Sequence, residues 1–317
     1  MSTSASGAHA EVPVIDFSAF LSGDAAAKEE VSAQLFHAFR DIGFITLTNH
    51  GIAPELLKRT FAASESVFDL EAEEKAKYAW TTPEANRGYL GMGMEKLADG
   101  QADIKETFEI GNENETTFPN HWPVETPEFK PTMLEYFAAA DTLHLNVLRA
   151  LATGMGIGAD FFTPLCNERH QNLRLLHYPS CQRKEINEDG QKRAGAHTDY
   201  GSITLLAQSE IGGLQAQRRD GEWIFVPPVA DAMVVNVADC MMRWSNDVLV
   251  STPHRVIQDP RQAAETMPRR FSIAFFCNPN KETLVECLPG CSSEDNPPKY
   301  APIKAFDHLV GRLTDTI

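Results

Sequence analysis

The spacing of apolar residues predicts amphipathic helices in four stretches of the chain. In the first of them Val31, Leu35 and Phe39 lie four residues apart, which places them on one face of a helix. Asp24, just before this stretch, has the short acidic side chain that is preferred at a helix N-cap. The predicted helices cover residues 25–40, 53–69, 131–155 and 302–314.

A different pattern begins near residue 173, where short runs rich in apolar and β-branched residues are separated by Gly, Pro, Asn or Asp. Closely spaced runs of this kind are typical of antiparallel sandwiches and barrels. Two similar runs, residues 12–17 and 43–51, predict strands near the N-terminus. The predicted strands of the second half cover residues 173–178, 202–207, 213–217, 222–226, 232–237, 248–257 and 270–277.

These patterns predict an α+β protein with two regions that form one structural unit. Residues 11–165 are mainly helical, and residues 166–317 are rich in strands and end in a helix. Residues 1–10 are small and polar, which predicts a disordered tail. Residues 80–111 contain several glycines and little periodicity. Because a long irregular stretch inside a compact protein is often functional, we predict a functional loop there.

Charge and composition narrow the classes of partner. The chain has 28 basic and 44 acidic side chains, and its net charge of −16 argues against nucleic acids and anionic membranes. No apolar run approaches the roughly 20 residues of a membrane helix, and the polar N-terminus lacks the pattern of a signal peptide. The six cysteines form no C-x-x-C pair, so we predict free thiols in a reducing cytoplasm. The oligomeric state stays open.

A histidine and a carboxylate stand two residues apart in the sequence GAHTDYGSITLL. Because residues i and i+2 of a strand point the same way, His197 and Asp199 can direct one nitrogen and one oxygen to a single point. His254, on another predicted strand, can supply a third ligand. Two histidines and one carboxylate form the facial triad of non-haem Fe(II) oxygenases, which leaves open positions on the metal. The alternative interpretation is a hydrogen-bonded His–Asp pair at a turn.

Two predicted strands carry an arginine among apolar residues. In RRFSIAFFCNPN, Arg270, Ser272 and Phe276 share one face at a period of two, and the other face is entirely apolar. In NLRLLHY, Arg174 and Tyr178 share a face. Because a buried unpaired charge is unfavourable, a guanidinium beside a hydroxyl suits a bound carboxylate. The alternative for Arg270 is an arginine near the surface that pairs with an exposed aspartate.

Together these motifs resemble the 2-oxoglutarate/Fe(II) oxygenases of the isopenicillin N synthase type. His254 follows Asp199 by 55 residues, and R-F-S begins 16 residues later. The segments VPVIDFSAF and FRDIGFITLTNHGI also resemble that family, so the match covers nearly the whole chain. The resemblance implies a double-stranded β-helix (jelly roll) with a helical N-terminal region packed on it, and Fe(II), 2-oxoglutarate and O₂ as cofactor and cosubstrates. It assigns iron to His197, Asp199 and His254, and the distal carboxylate of 2-oxoglutarate to Arg270, Ser272 and Tyr178.

Within that family, six segments are similar to the fungal thymine-7-hydroxylases: WTTPEANRGY, DIKETFEIG, LRLLHYP, AGAHTDYGSITLL, RWSND and AFFCNPN. In those enzymes an asparagine, an arginine and two aromatic rings hold the pyrimidine. The matching positions are Asn86, Arg174, Tyr200 and Phe276. The resemblance thus implies hydroxylation of a small planar molecule such as the pyrimidine base thymine. The alternative is that Tyr200 and Phe276 only fill the barrel core and that Asn86 caps a turn.

Three other functions stay open from the sequence. The same oxidation could act on a small molecule of fungal secondary metabolism. An iron oxidase that uses no 2-oxoglutarate could hold the carboxylate of its own substrate at Arg270 and Ser272. A binding protein on the same fold need not catalyse any reaction, although the complete triad and Arg270 argue against it.

Overall fold

The computed structural model describes residues 11–82, 85–94, 104–182, 194–257 and 265–314. The predicted tail and part of the predicted loop lie outside these ranges. All four predicted helices are present, and none of the helices in the described ranges is long and apolar enough to span a membrane. The helices are α1 (Ser18–Ser22), α2 (Ala25–Asp41), α3 (Pro54–Phe68), α4 (Ala72–Ala76), α5 (Phe129–Gly154), α6 (Asp239–Trp244) and α7 (Ala305–Thr314).

The long helices pack around α5. The side chain of Asp24 accepts a hydrogen bond from the Ala27 N–H at 2.9 Å and so caps α2 as predicted. With 26 residues, α5 is about 39 Å long, and both α2 and α3 pack against it. Its opposite side packs on a large sheet, where the rings of Phe137 and Phe275 meet edge-on at 4.9 Å.

The described residues contain two principal sheets and two short ribbons. The first eight strands are β1 (Val14–Asp16), β2 (Phe44–Thr48), β3 (Gly88–Leu90), β4 (Glu106–Ile110), β5 (Asn172–Tyr178), β6 (Cys181–Gln182), β7 (Ala194–His197) and β8 (Ile203–Gln208). The remainder are β9 (Leu214–Gln217), β10 (Trp223–Phe225), β11 (Met233–Val237), β12 (His254–Val256), β13 (Thr266–Met267), β14 (Arg270–Cys277), β15 (Leu284–Val285) and β16 (Ile303–Lys304).

The main sheet has eight strands in the order β1-β2-β11-β8-β14-β5-β4-β3. The minor sheet has four strands in the order β10-β9-β12-β7. The main sheet buries its outer face, including Ile273 and Phe275, under the helices, whereas its inner face packs on the minor sheet around Leu176, Ala216 and Val256. An α+β architecture with a jelly-roll core is therefore confirmed. Because β1 to β4 belong to the main sheet, the helical region contributes to the barrel; the boundary at residue 165 stays a prediction.

Two predictions about elements are wrong. Within residues 80–111, predicted as an irregular loop, β3 and β4 join the edge of the main sheet. All five residues of β4 are buried despite their polar character, which is why the sequence pattern did not reveal the strand. The strand predicted over residues 248–257 is limited to β12, because the Thr252 hydroxyl ties the preceding segment to the carbonyl oxygen of Ile42 at 2.6 Å.

Candidate active site

His197 and His254 lie opposite each other on neighbouring strands of the minor sheet. They are register partners in the antiparallel pair β7–β12, and their ring centroids are 4.4 Å apart. Nδ1 of His197 lies 2.8 Å from the carbonyl oxygen of Gly195, and Nδ1 of His254 lies 3.1 Å from that of Thr252. Because a carbonyl oxygen only accepts hydrogen bonds, each Nδ1 carries the proton and each Nε2 presents a lone pair.

Asp199 is positioned by the main sheet rather than by β7. It lies beyond the end of β7, so the expectation that it shares a strand face with His197 is wrong. Its Oδ2 accepts hydrogen bonds from the Thr204 hydroxyl at 2.6 Å and from the Asn236 amide at 2.7 Å. Its Oδ1 lies 3.9 Å from Nε2 of His197 and 3.6 Å from Nε2 of His254. One carboxylate oxygen is thus fixed by the protein and the other faces the two imidazoles.

The three predicted iron ligands come together at one point. Their ligand atoms all lie within 4.8 Å of one another, which suits a single ion. Distances of 3.6 and 3.9 Å exceed a hydrogen bond, which argues against a simple His–Asp pair at a turn. The donor set of two imidazole nitrogens and one carboxylate oxygen fits a non-haem Fe(II) centre.

Electrostatics favour, in Asp199 and His197, the protonation states that a metal needs. Burial raises the pKa of Asp199, but the two imidazoles and the hydrogen bonds from Asn236 and Thr204 outweigh it and bring that pKa below its usual value. The side chain of His197 is 44% exposed. Even so, limited hydration and the neighbouring His254 lower the pKa of His197 to about 4. A charged carboxylate and neutral imidazoles are the forms that bind metal.

Arg270 is buried at the start of β14, together with its two predicted companions. Its guanidinium carbon lies 5.0 Å from the ring centroid of Tyr178, its register partner on β5. Nη1 donates to the Ser272 hydroxyl at 3.2 Å, and Nε donates to the carbonyl oxygen of Ile211 at 3.1 Å. With 1% of its surface exposed, Arg270 does not fit the alternative of an arginine near the surface. The neighbouring Arg269 is instead the arginine near the surface, and it pairs with Asp69 at 2.8 Å.

Arg174 and Phe276, both predicted to bind substrate, are in contact. The guanidinium carbon of Arg174 lies 5.6 Å from the centroid of the Phe276 ring. Through Nε, Arg174 forms an ion pair with Glu109, a carboxylate with no exposed surface. Asn172 donates to the other carboxylate oxygen of Glu109 at 2.5 Å. The guanidinium is therefore held in place by β4 and β5 together.

Asn86 is connected to this group through its neighbour. Arg87 donates to the carbonyl oxygen of Asn86 at 2.7 Å and to the side-chain oxygen of Asn172 at 3.3 Å. Asn86 has a φ of 44°, a left-handed conformation that asparagine tolerates. Its side-chain oxygen is buried and has no hydrogen-bond partner among the described residues.

Tyr200 lies in the segment directly after Asp199. The guanidinium carbon of Arg312, on α7, lies 5.0 Å from the centroid of its ring. A small open pocket adjoins Tyr200, and its lining includes Phe306 and Leu309 of α7. The ring is thus placed between the candidate iron ligands and the C-terminal helix.

The inner face of the main sheet arranges most of these residues in rows of cross-strand partners. The first row along β14 is Asn236–Thr204–Phe276–Asn172, and the second contains Arg174–Glu109. The third row contains Ser272, and the fourth is Arg270–Tyr178. We call these the iron row, the reading row, the serine row and the arginine row. The iron row holds Asp199, and the arginine row lies at the other end of the strand.

Family models match most of the chain. The model of the 2OG-Fe(II) oxygenase superfamily matches residues 169–279, and the model described as non-haem dioxygenase in morphine synthesis N-terminal matches residues 12–131. The chain belongs to the 2-oxoglutarate/Fe(II) oxygenases. As a member of this family it is a non-haem iron dioxygenase that requires Fe(II), 2-oxoglutarate and O₂, as predicted.

Several relatives of this oxygenase come from fungi. The 2-oxoglutarate-Fe(II) type oxidoreductase hxnY of Emericella nidulans is 37% identical over 94% of this chain and 88% of its own. The proline hydroxylase buaE of Petromyces alliaceus is 34% identical over 96% of this chain and 99% of its own. The crystal structure of the thymine-7-hydroxylase of Neurospora crassa with α-ketoglutarate and thymine has a TM-score of 0.91 and 42% identity, covering 96% of this chain and 97% of that one.

Several residues of the oxygenase site were not predicted. Asn236 is a polar residue within the apolar strand MVVNV, the same signal that pointed to Arg270 and Ser272, so it could have been found. Glu109 gave no such signal, because its strand was taken for a loop. Thr204 resembles an ordinary strand threonine until its contact with Asp199 is known.

Proposed function

We propose that this oxygenase hydroxylates a small planar heterocycle with hydrogen-bonding groups on its edge, and that a pyrimidine base such as thymine is the first candidate. The observation that carries the proposal is the contact of Arg174 with Phe276, because Phe276 lies in the same row as the residues that hold Asp199. The Neurospora crassa thymine-7-hydroxylase, similar over 96% of the chain, was solved with thymine and α-ketoglutarate. We further propose a cytoplasmic enzyme without nucleic-acid or membrane partners, given its net charge of −16 and its six free cysteines.

His197, Asp199 and His254 would hold Fe(II) through their Nε2, Oδ1 and Nε2 atoms. When bound, Fe(II) supplies the oxidising chemistry together with 2-oxoglutarate and O₂. The contribution of the protein is preorganisation, because carbonyl oxygens fix both imidazoles and two donors fix the carboxylate before any metal binds.

Arg270, Ser272 and Tyr178 would hold the distal carboxylate of 2-oxoglutarate. A guanidinium and two hydroxyl groups on one buried face can all donate to carboxylate oxygens. They lie on the same inner face as the iron row, toward the other end of β14.

The reading row and Asn86 would recognise the edge of the substrate. A guanidinium donates hydrogen bonds, whereas the buried side-chain oxygen of Asn86 accepts one. This pair is complementary to a carbonyl group next to an N–H group, an arrangement that pyrimidine bases present. Phe276 offers a ring face to the heterocycle, and Tyr200 is the second aromatic contact.

A second candidate is the same reaction on a small molecule of fungal secondary metabolism. The similarity to the proline hydroxylase buaE, at 34% identity over 96% of the chain, supports it. Family membership instead argues against the remaining two alternatives, an oxidase without 2-oxoglutarate and a non-catalytic binding protein.

The test is succinate release from 2-oxoglutarate with Fe(II) in air, in the presence of thymine, uracil, L-proline or a planar aromatic acid. We expect thymine to raise succinate release above the substrate-free rate. Asn86→Ala and Phe276→Ala should abolish that stimulation, whereas Asn114→Ala, at an exposed asparagine, should not. If L-proline stimulates the enzyme and thymine does not, the second candidate replaces the first. If neither pocket variant changes the response to the best substrate, the pocket assignment is wrong.

A further inference from the structure

The carboxylate of Asp239 joins the two segments that carry the candidate iron ligands. Its Oδ2 accepts a hydrogen bond from the hydroxyl of Thr198, the residue between the first two ligands, at 3.0 Å. Its Oδ1 accepts one from the hydroxyl of Ser251, three residues before the third ligand, at 2.5 Å. The backbone N–H of Asp239 also donates to the carbonyl oxygen of Asp199 at 2.8 Å. A single residue therefore sets the spacing of both segments.

Arg312 connects the C-terminal helix α7 to this arrangement. Its Nη2 lies 2.8 Å from Oδ2 of Asp239 and donates to the Thr198 hydroxyl at 3.3 Å. The guanidinium also lies over the ring of Tyr200, with 5.0 Å from its carbon to the ring centroid. One guanidinium thus makes two contacts with the segment that contains His197 and Asp199, and a third with Asp239.

We propose that Arg312 is a positioning residue for the iron site, acting through Asp239. The inference rests on the proposed assignment of His197, Asp199 and His254 to the metal. The backbone of Asp239 is bonded to that of Asp199, and Arg312 supplies the positive charge that pairs with the Asp239 carboxylate. Without that charge, the carboxylate of Asp239 keeps its two hydroxyl donors but loses its ion pair, which weakens the common anchor of the two ligand-bearing segments.

A neighbouring arginine offers a matched control for a merely structural role of α7. Arg243, on α6, stacks on Tyr300 with 4.8 Å from its guanidinium carbon to the ring centroid, and donates to the carbonyl oxygen of Ala301 at 2.7 Å. It therefore fastens the chain that leads into α7, also through a tyrosine and a polar contact. If Arg312 only fastened α7, the same substitution at the two positions would have the same effect.

The experiment measures Mn(II) binding to the metal-free full-length protein with 2-oxoglutarate present, by the loss of the free Mn(II) EPR signal. We expect Arg312→Met to weaken Mn(II) binding by about tenfold. Arg312→Lys should bind Mn(II) only about threefold more weakly than the wild type, because lysine keeps the positive charge beside Asp239 but not the planar fork. Arg243→Met should bind Mn(II) like the wild type. Melting temperatures of the metal-free proteins show how much each substitution affects the fold.

A double-mutant cycle with Asp239→Asn then tests the route of the effect. If Arg312 acts through Asp239, the double variant should bind Mn(II) no more weakly than the weaker single variant. Wild-type binding by Arg312→Met, no recovery by Arg312→Lys, or losses that add in the double variant would each overturn the inference. If Asp239→Asn does not fold, the comparison of methionine with lysine at position 312 decides. If the wild type itself binds no Mn(II), or if His197→Ala does not weaken binding, the proposed iron site fails instead.

Discussion

The two oxygens of the Asp199 carboxylate have separate tasks. Oδ2 is held by Thr204 and Asn236, which leaves Oδ1 facing the imidazoles. Both donors lie on the inner face of the main sheet, whereas the histidines lie on the minor sheet. The direction of the metal ligand therefore depends on side chains that would not touch the metal.

Thr204→Val is expected to weaken Fe(II) binding by about tenfold, because it removes one of the two donors that orient Asp199. Valine has nearly the shape of threonine, so the fold should change little. The matched control is Thr107→Val on the same inner face, where the buried hydroxyl has no hydrogen-bond partner among the described residues. Anaerobic Fe(II) titration measures the difference, and equal affinities for the two variants would contradict this role of Thr204.

Arg270→Leu should raise the KM for 2-oxoglutarate while leaving metal binding intact. Loss of one partner of a buried charge pair costs about 3–5 kcal/mol, which corresponds to a KM increase of about a hundredfold or more. Arg269→Leu is the matched control, since that neighbouring side chain is 38% exposed and its ion pair with Asp69 is at the surface. Steady-state succinate release at varied 2-oxoglutarate gives the KM for each variant. An unchanged KM in Arg270→Leu would remove it as the anchor of the cosubstrate.

At the scale of secondary structure, the sequence was informative wherever one face of an element is apolar. The helix α2 and the strand β14 follow this rule, and both were predicted within one residue of their bounds. The strand β4 is an exception to this rule, because its buried Glu106 and Glu109 pair with residues of other elements. Those partners, Lys75 and Arg174, are 31 and 65 residues away along the chain, and no local pattern contains such information.

The candidate site likewise combines groups that a local motif indicates with groups that only the folded chain brings together. The residue types in H-x-D and R-x-S carry their own chemistry, so these motifs indicate candidate ligands, and the family resemblance completes the candidate sets. The orientation of Asp199 depends on β8 and β11 meeting in register, and Arg312 reaches the site from a helix 114 residues after Thr198. Contacts of this kind exist only after the chain has folded.

The helix α5 contains a histidine that should make the protein sensitive to acid. Burial lowers the pKa of His144 from 6.5 to about 3, and its Nδ1 lies 3.2 Å from the side-chain nitrogen of Gln171. Below pH 6.5 the unfolded chain therefore binds a proton that the folded protein excludes, so stability falls as the pH falls. At pH 5 this lowers the free energy of unfolding by about 2 kcal/mol.

His144→Met should remove this part of the pH dependence. Urea unfolding at pH 7 and at pH 5 should show a smaller loss of stability for the variant than for the wild type, by about 2 kcal/mol. The exposed His37 provides the control variant His37→Met, which should keep the wild-type profile. Parallel profiles for wild type and His144→Met would show that His144 is not the group responsible.

At the scale of the whole molecule, the candidate iron site lies between the two sheets. The minor sheet supplies both histidines, and the main sheet orients Asp199. A bound metal would therefore connect the two layers of the barrel, and its binding free energy would add to the stability of the whole fold.

Mn(II) at about 100 times its Kd should raise the free energy of unfolding by about 2.7 kcal/mol. Asp199→Ala should abolish this increase, because the carboxylate is the only charged ligand of the three. Asp295→Ala, at an exposed aspartate, should keep it. Thermal unfolding with Mn(II) and with EDTA measures the stabilisation by Mn(II) in each variant. Full stabilisation of Asp199→Ala by Mn(II) would exclude these residues as the metal site.

The pairing of Arg174 with the buried Glu109 bears on how such an enzyme could acquire a new substrate during evolution. Arg174 and Glu109 lie outside the iron and arginine rows, so recognition of the heterocycle edge could diverge while the chemistry is retained, whereas Phe276 belongs to the iron row. Yet replacing either member of a buried ion pair alone costs about 3–5 kcal/mol, a large part of the stability of a typical domain. A lineage that altered Arg174 would have to change Glu109 almost simultaneously, whereas Phe276 could mutate alone. On the proposed function, specificity at the heterocycle edge would thus be protected by epistasis, and adaptation would begin at the Phe276 ring.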